Sequence, residues 1–146
     1  MPVNVVVVCR NYYALEILKM VFLKYGTEIL EYCMLSNAIE TCSRLRPEIV
    51  LFEMNWPKGF CEESAISVLS RLLRLIPNIS VVAMTKEYSL ETQLSVVAVG
   101  AKGYVFRESP HMNGEEILEH GALTFDRVVA GERFFAPCTL CHINNP

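Results

Sequence analysis

Short runs of strand-forming residues alternate with segments of helical periodicity along this 146-residue chain. The β-branched run at residues 3–8 and the apolar run at residues 49–52 are typical of strands that are covered on both faces. Between such runs apolar side chains recur at helical spacing, with Gly or Pro where a helix should end. The pattern predicts strands at residues 3–8, 27–35, 49–52, 79–84 and 104–106, and helices at residues 13–25, 36–45, 63–75, 90–99 and 115–129.

Five strands that alternate with five helices predict an α/β fold of the (βα)5 type. Because crossovers between parallel strands are right-handed, such a chain winds into a three-layer, doubly wound parallel sheet with helices on both faces. Residues 1–133 account for this pattern as one domain, and residues 134–146 are left as a C-terminal tail. Ser36 is the predicted N-cap of the second helix.

Composition argues against several classes of protein. The net charge is -3, so the chain has no general attraction for nucleic acid. No apolar stretch reaches the ~18 residues that a membrane-spanning helix needs, and no secretory signal is visible. We therefore expect a cytoplasmic protein that binds neither membranes nor nucleic acid directly. In that compartment its six cysteines are expected to be reduced.

Glu53 is the residue that points most directly to function. It closes the third predicted strand, just before the turn Trp56-Pro57-Lys58-Gly59. Open α/β folds place their chemistry at the carboxyl ends of parallel strands. Glu53 is therefore a candidate site residue.

Three stretches resemble the receiver domain of response regulators in two-component signalling: RPEIVLFE at 46–53, PNISVVAMT at 77–85 and GAKGYVFR at 100–107. The last is similar to the family's GA-x-GY-x-x-K signature. The likeness covers roughly residues 3–137 and is greatest to receivers of LuxR-type regulators. It implies the CheY-like, flavodoxin-like strand order 2-1-3-4-5.

In that family two acidic residues after the first strand and a phosphoacceptor Asp hold Mg2+, and a Lys after the fifth strand pairs with the phosphoryl group. Carried over, the acidic pair falls on Cys9 and Arg10. The acceptor falls on Glu53 and the Lys on Arg107. The resemblance therefore implies a pseudo-receiver that has lost the Mg2+ site, is not an enzyme and has no cofactor.

Two further family positions are kept, namely the hydroxyl at Thr85 and the switch aromatic at Tyr104. Arg10 and Arg107 are expected to pair with Glu53. The Glu53 carboxylate would then either imitate a phosphorylated Asp, holding Thr85 and Tyr104 in an inward, active-like arrangement, or be neutralised as in a resting receiver.

The tail contains Cys138-Thr139-Leu140-Cys141-His142, a CxxCH sequence. Cys138, Cys141 and His142 could form a reactive dithiol, a metal site or a haem attachment site, or be an accidental cluster. Haem attachment needs export, for which no signal is visible. Cys9 is likewise either a reactive thiol, with a pKa lowered by Arg10, or a packing residue.

Receivers usually meet their partners through the helix at residues 90–99 and the strand at residues 104–106. Leu94, Val96 and Val97 make this helix apolar, either for burial or for an interface. The first functional hypothesis is a phosphorylation-independent module that binds a protein partner or a second copy through this face. One alternative is a redox- or metal-responsive module that uses CxxCH. Another is the N-terminal receiver part of a LuxR-type transcription regulator.

Overall fold

The computed structural model describes residues 2–10 and 26–136. Its strands are β1 (Asn4–Val8), β2 (Glu28–Cys33), β3 (Ile49–Glu53), β4 (Ser80–Glu87) and β5 (Gly103–Glu108). Its α-helices are α1 (Ala38–Leu45), α2 (Ala65–Leu75), α3 (Leu90–Val99) and α4 (Gly114–Val129). The helix predicted at residues 13–25 lies outside the described part. None of the described helices is long and apolar enough to cross a bilayer.

The five strands form one parallel sheet in the order β2-β1-β3-β4-β5. Side chains of α1, α2 and α3 pack in a core on one face. On the other face, Phe125 and Val128 of α4 pack against β1 and β3. The predicted doubly wound α/β fold and its strand order are confirmed. Double coverage also explains the continuous apolar runs, because β3 is buried along its whole length.

The entry to α1 differs from the prediction. A 3-10 turn at Leu35–Asn37 precedes the helix, so Ser36 lies inside the turn and Asn37 takes the N-cap position. The N-cap prediction for Ser36 was wrong because burial decides the geometry here: the turn places the Leu35 side chain in the core. That burial outweighs the modest stabilisation that a capping hydroxyl supplies.

β4 extends three residues beyond its predicted end at residue 84. Its last residues, Thr85 to Glu87, continue to pair with β5, where Thr85 lies opposite Phe106 and Glu87 opposite Glu108. The extension carries Thr85 into the sheet, next to the strand that holds Tyr104.

Residues 133–136, which we call the strap, run along the free edge of β5. The Phe134 N–H donates to the Lys102 carbonyl at 2.8 Å, and Phe134 forms an isolated parallel bridge with Gly103. Ala136 is buried. The packed chain thus continues beyond residue 133, where the predicted tail begins.

Gly103 lets α4 approach β5 closely. A Cβ atom at this position would lie 2.6 Å from the Thr124 methyl and 3.2 Å from a Val128 methyl, so any other residue would force these side chains of α4 to shift. The short separation brings α4, β5 and the strap together.

Candidate functional site

Glu53 lies at the carboxyl end of β3 with none of its surface exposed. One carboxylate oxygen, Oε2, accepts the backbone N–H of Arg10 at 2.6 Å. The backbone carbonyl of Glu53 accepts the indole N–H of Trp56, also at 2.6 Å. A carboxylate is costly to bury unless it is hydrogen-bonded. The bond from Arg10, in the segment that follows β1, offsets part of that cost and holds Glu53 inside the fold.

Arg10 meets Glu53 through its backbone amide. Its guanidinium carbon lies 5.9 Å from the ring centroid of Phe60, which is within the range of a cation–π contact. The expected pairing of Glu53 with the guanidinium of Arg107 stays a prediction. Arg107 follows Phe106 on β5 and is exposed.

Cys9 lies half-buried at the end of β1. Burial, reinforced by the charges of Glu53 and Cys33, raises the pKa of the Cys9 thiol to about 11. The hypothesis that Arg10 lowers this pKa was wrong, since desolvation dominates. At neutral pH the thiol stays protonated, which supports the packing interpretation.

The residues at this edge do not fit the Mg2+ of typical receivers. Mg2+ prefers several oxygen ligands in octahedral geometry. Here Cys9 presents a protonated thiol, Arg10 presents an N–H donor, and that donor occupies an oxygen of Glu53. Over residues 2–10 and 26–136, no three Asp, Glu, His or Cys side chains stand together in a way that could hold a metal ion.

Thr85 and Tyr104 form a closed hydrogen-bond network beside this edge. The Thr85 hydroxyl donates to the Glu87 carbonyl at 2.6 Å and lies 2.5 Å from the Tyr104 hydroxyl. The Tyr104 oxygen also accepts the Ser89 N–H at 3.1 Å. Both side chains are buried, and burial raises the pKa of Tyr104. The Tyr104 hydroxyl also lies 3.5 Å from the Glu87 carbonyl oxygen, so both hydroxyls meet the same acceptor.

His120 links Tyr104 to the strap, a role that the sequence did not predict. Its Nε2 lies 3.0 Å from the Tyr104 carbonyl oxygen. Its ring stacks on Phe106 with the ring centroids 5.2 Å apart, and its centroid lies 5.6 Å from that of Phe134 in the strap. Burial lowers the pKa of His120. The signal was its spacing from Ile117, three residues earlier on the buried stripe of α4.

The predicted residues are thus only partly brought together. Cys9, Arg10 and Glu53 meet at one end of the sheet, and Thr85 meets Tyr104 beside them. Cys138, Cys141 and His142 lie outside the described residues.

On α3, Val96 is buried and Val97 half-buried, while half of the Leu94 surface is exposed. Some apolar residues of this helix therefore pack in the core, and others lie on the protein surface.

A cavity of about 500 Å³ lies beside the turn that follows β3. Met54, Trp56 and Lys58 are among its lining residues, together with Glu91 at the start of α3. Trp56 therefore lines an open surface while its indole N–H is bonded to Glu53, so its fluorescence can report on the end of β3.

Sequence comparison finds no matching family model and no matching curated protein. Structure comparison finds receiver domains. A LuxR-family two-component response regulator from Aurantimonas matches with a TM-score of 0.72 at 14% identity, over 97% of this chain and 94% of that one. The receiver domain of RcsB from Salmonella enterica, in the presence of the phosphomimetic BeF3-, matches with a TM-score of 0.71 at 14% identity, over 93% and 94%. A CheY-like receiver from Methanospirillum hungatei matches with a TM-score of 0.62 at 16% identity, over 90% and 99%. The chain has the receiver-domain fold.

Proposed function

We propose that this chain is an atypical receiver of the kind found in LuxR-type regulators, which acts as a protein-interaction module without being phosphorylated. The observation that carries the proposal is the state of Glu53. A carboxylate stands at the acceptor position, but it is fully buried and one of its oxygens accepts the backbone N–H of Arg10.

Phosphoryl transfer to a carboxylate needs an accessible oxygen nucleophile in line with the donor, and positive charge that stabilises the transferring group. Glu53 offers no exposed oxygen to a donor. Cys9 and Arg10 cannot replace the two carboxylates that help to hold Mg2+ in typical receivers. Access and charge both argue against transfer.

The arrangement of Thr85 and Tyr104 favours a single, permanently active-like state. The Tyr104 side chain is directed inward and fully buried, and its hydroxyl is bonded to Thr85 and Ser89. Turning Tyr104 outward would break both bonds with no phosphoryl group to compensate, so the network is expected to persist without a signal.

The surface formed by α3 and β5 is the proposed binding face, for a protein partner or a second copy. Leu94 of α3 supplies exposed apolar area on this surface. Leu94→Glu should weaken association measured by light scattering or partner titration. The matched control is Leu75→Glu at the end of α2, where the leucine is 58% exposed. Equal effects of the two changes would argue against this face.

The test of phosphorylation combines acetyl phosphate and Mg2+ with intact-protein mass spectrometry. We expect no mass increase of one phosphoryl group, and no change in Trp56 fluorescence when Mg2+ and beryllofluoride are added. A saturable fluorescence change that needs both additions, or a phosphoryl adduct on Glu53, would overturn the proposal.

A rebuilt variant serves as the positive control. Cys9→Asp, Arg10→Asp, Glu53→Asp and Arg107→Lys together restore the typical set of groups. Glu53→Asp alone supplies only the acceptor. If the buried, Mg2+-free arrangement is what prevents transfer, the fourfold variant should respond to beryllofluoride and the single variant should not.

A further inference from the structure

The strap fills a groove between α3, the free edge of β5 and α4. Its backbone extends the sheet by one parallel bridge, in which the Phe134 N–H donates to Lys102 O at 2.8 Å beside Gly103. The strap therefore binds as an added strand does, with main-chain bonds for affinity and side chains for selectivity.

Arg133 anchors the start of the strap to α3. Its guanidinium donates to the carbonyl of Val97 at 2.9 Å and to that of Ala101 at 3.3 Å, and it lies 5.7 Å from the Phe135 ring centroid. Carbonyl groups at the end of a helix carry partial negative charge and favour a cation. This end of the groove therefore selects a basic residue.

The rest of the groove selects aromatic and small side chains. The Phe134 ring lies 5.6 Å from the ring of His120, and Phe135 packs against the core. Ala136 is buried and bonded to Gln93 of α3, so this position favours a small side chain. The groove thus accommodates the order basic, aromatic, aromatic, small.

Gln93 of α3 shows that this groove has binding capacity left over. Its Nε2 donates to the Ala136 carbonyl at 3.0 Å. Its Oε1 is buried and has no hydrogen-bond partner among the described residues. Buried acceptors are nearly always bonded, so a ligand that brings a donor to Oε1 would gain a bond that the strap does not make.

We propose that this groove is a recognition site for an extended protein segment of basic–aromatic–aromatic–small sequence, which the strap occupies in cis and a partner occupies in trans. The inference rests on the proposed function as an interaction module and names the partner's chemistry. A tethered strap competes at an effective concentration in the ~mM range. A partner must therefore outbind the strap, or meet a chain in which the strap has been loosened.

The test uses the full chain and a fluorescein-labelled peptide, GERFFAP, which copies residues 131–137. Phe134→Ala loosens the cis strap while the peptide keeps its phenylalanine. Because apparent affinity scales with the fraction of open sites, anisotropy should give a peptide Kd about 10-fold lower for Phe134→Ala than for the wild type. Phe60→Ala makes the same chemical change at an exposed site away from the groove and should behave as wild type.

A second peptide, GEEFFAP, exchanges the basic residue for an acidic one and should bind Phe134→Ala about 10-fold more weakly than GERFFAP. If Phe134→Ala does not fold, Arg133→Ala at an exposed residue replaces it. Equal binding of GERFFAP to all folded variants, no binding to any of them, or self-association of the loosened variant without peptide binding would overturn the proposal. The phosphorylation test is independent of these results, so the two proposals can fail separately.

Discussion

The ends of β3 and β4 lie side by side in the sheet but satisfy their buried polar side chains in different ways. At the end of β3, Glu53 lies beside Cys9 and Arg10. Near the end of β4, Thr85 lies beside Tyr104 of β5. Glu53 accepts a hydrogen bond from the backbone N–H of Arg10, whereas Thr85 and Tyr104 bond to each other.

This difference indicates what each pair of groups depends on. Glu53 is a buried carboxylate, so it depends on donors such as the backbone N–H of Arg10. Thr85 and Tyr104 stabilise the fold by themselves, because each satisfies the other inside the core.

Removing the Glu53 side chain should have the largest effect. Glu53→Ala leaves a cavity and deprives the Arg10 N–H of its acceptor, so we expect a loss of about 2–4 kcal/mol in the free energy of unfolding. Urea unfolding measures it. Glu62→Ala, at an exposed glutamate, is the control and should change stability by less than about 0.5 kcal/mol. Similar losses of unfolding free energy in both variants would mean that the buried Glu53 side chain stabilises the fold no more than an exposed glutamate does.

Gly103→Ala tests the β5 side of the comparison. The new methyl would collide with Thr124, and overpacking of this kind costs about 1–3 kcal/mol. Gly114→Ala is the matched control because a Cβ there meets no atom within 4 Å and the helix gains from alanine. A thermal unfolding temperature that falls for Gly103→Ala and not for Gly114→Ala is the expected result. An unchanged temperature for Gly103→Ala would contradict the close packing.

Tyr104→Phe separates the hydroxyl network from aromatic packing. Loss of the hydroxyl removes its bonds to Thr85 and Ser89 and should cost about 1 kcal/mol. Faster exchange of the Ser89 amide hydrogen would locate the effect. Tyr32→Phe, at a tyrosine that is 47% exposed, should leave that exchange unchanged. An unaltered Ser89 rate in Tyr104→Phe would show that the network is not formed in solution.

The smallest effect is expected for pH. Burial lowers the pKa of His120 in the folded protein below its usual value, so the folded state binds fewer protons than the unfolded state. The contribution of neutral His120 is complete above the unfolded pKa of about 6.5 and is lost as pH falls below it. Urea unfolding between pH 7.5 and 5, values chosen to bracket about 6.5, should show a steeper loss in the wild type than in His120→Gln. His111→Gln, at an exposed histidine, should keep the wild-type slope.

The strands and the α/β fold were predictable because double coverage leaves continuous apolar runs, and the strand order followed from the resemblance in segments such as GAKGYVFR. The position of Glu53 at the carboxyl end of a strand was also predictable. The direction of the Arg10 side chain was not predictable, because spacing along a strand says nothing about the rotamer of a residue two positions beyond its end. Its guanidinium lies over Phe60, 50 positions further along the chain.

The strap could not be predicted for a different reason. Residues 133–136 have no periodicity, and their contacts are with distant positions: Arg133 with Ala101, and Ala136 with Gln93. Only the packed structure brings these partners together. The N-cap prediction at the start of α1 was wrong for the opposite reason. Serine is a favoured N-cap residue, so Ser36 was a reasonable choice from local sequence, but the burial of Leu35 moved the start of the helix.

The bond between Gln93 and Ala136 also has a mechanical consequence. It fixes Ala136, the last described residue, against α3. A pulling force applied beyond Ala136 would therefore load this bond and the bond of Phe134 to Lys102 before it reached the helix. Under tension the strap would peel first and uncover the edge of β5 while the sheet behind it stayed intact.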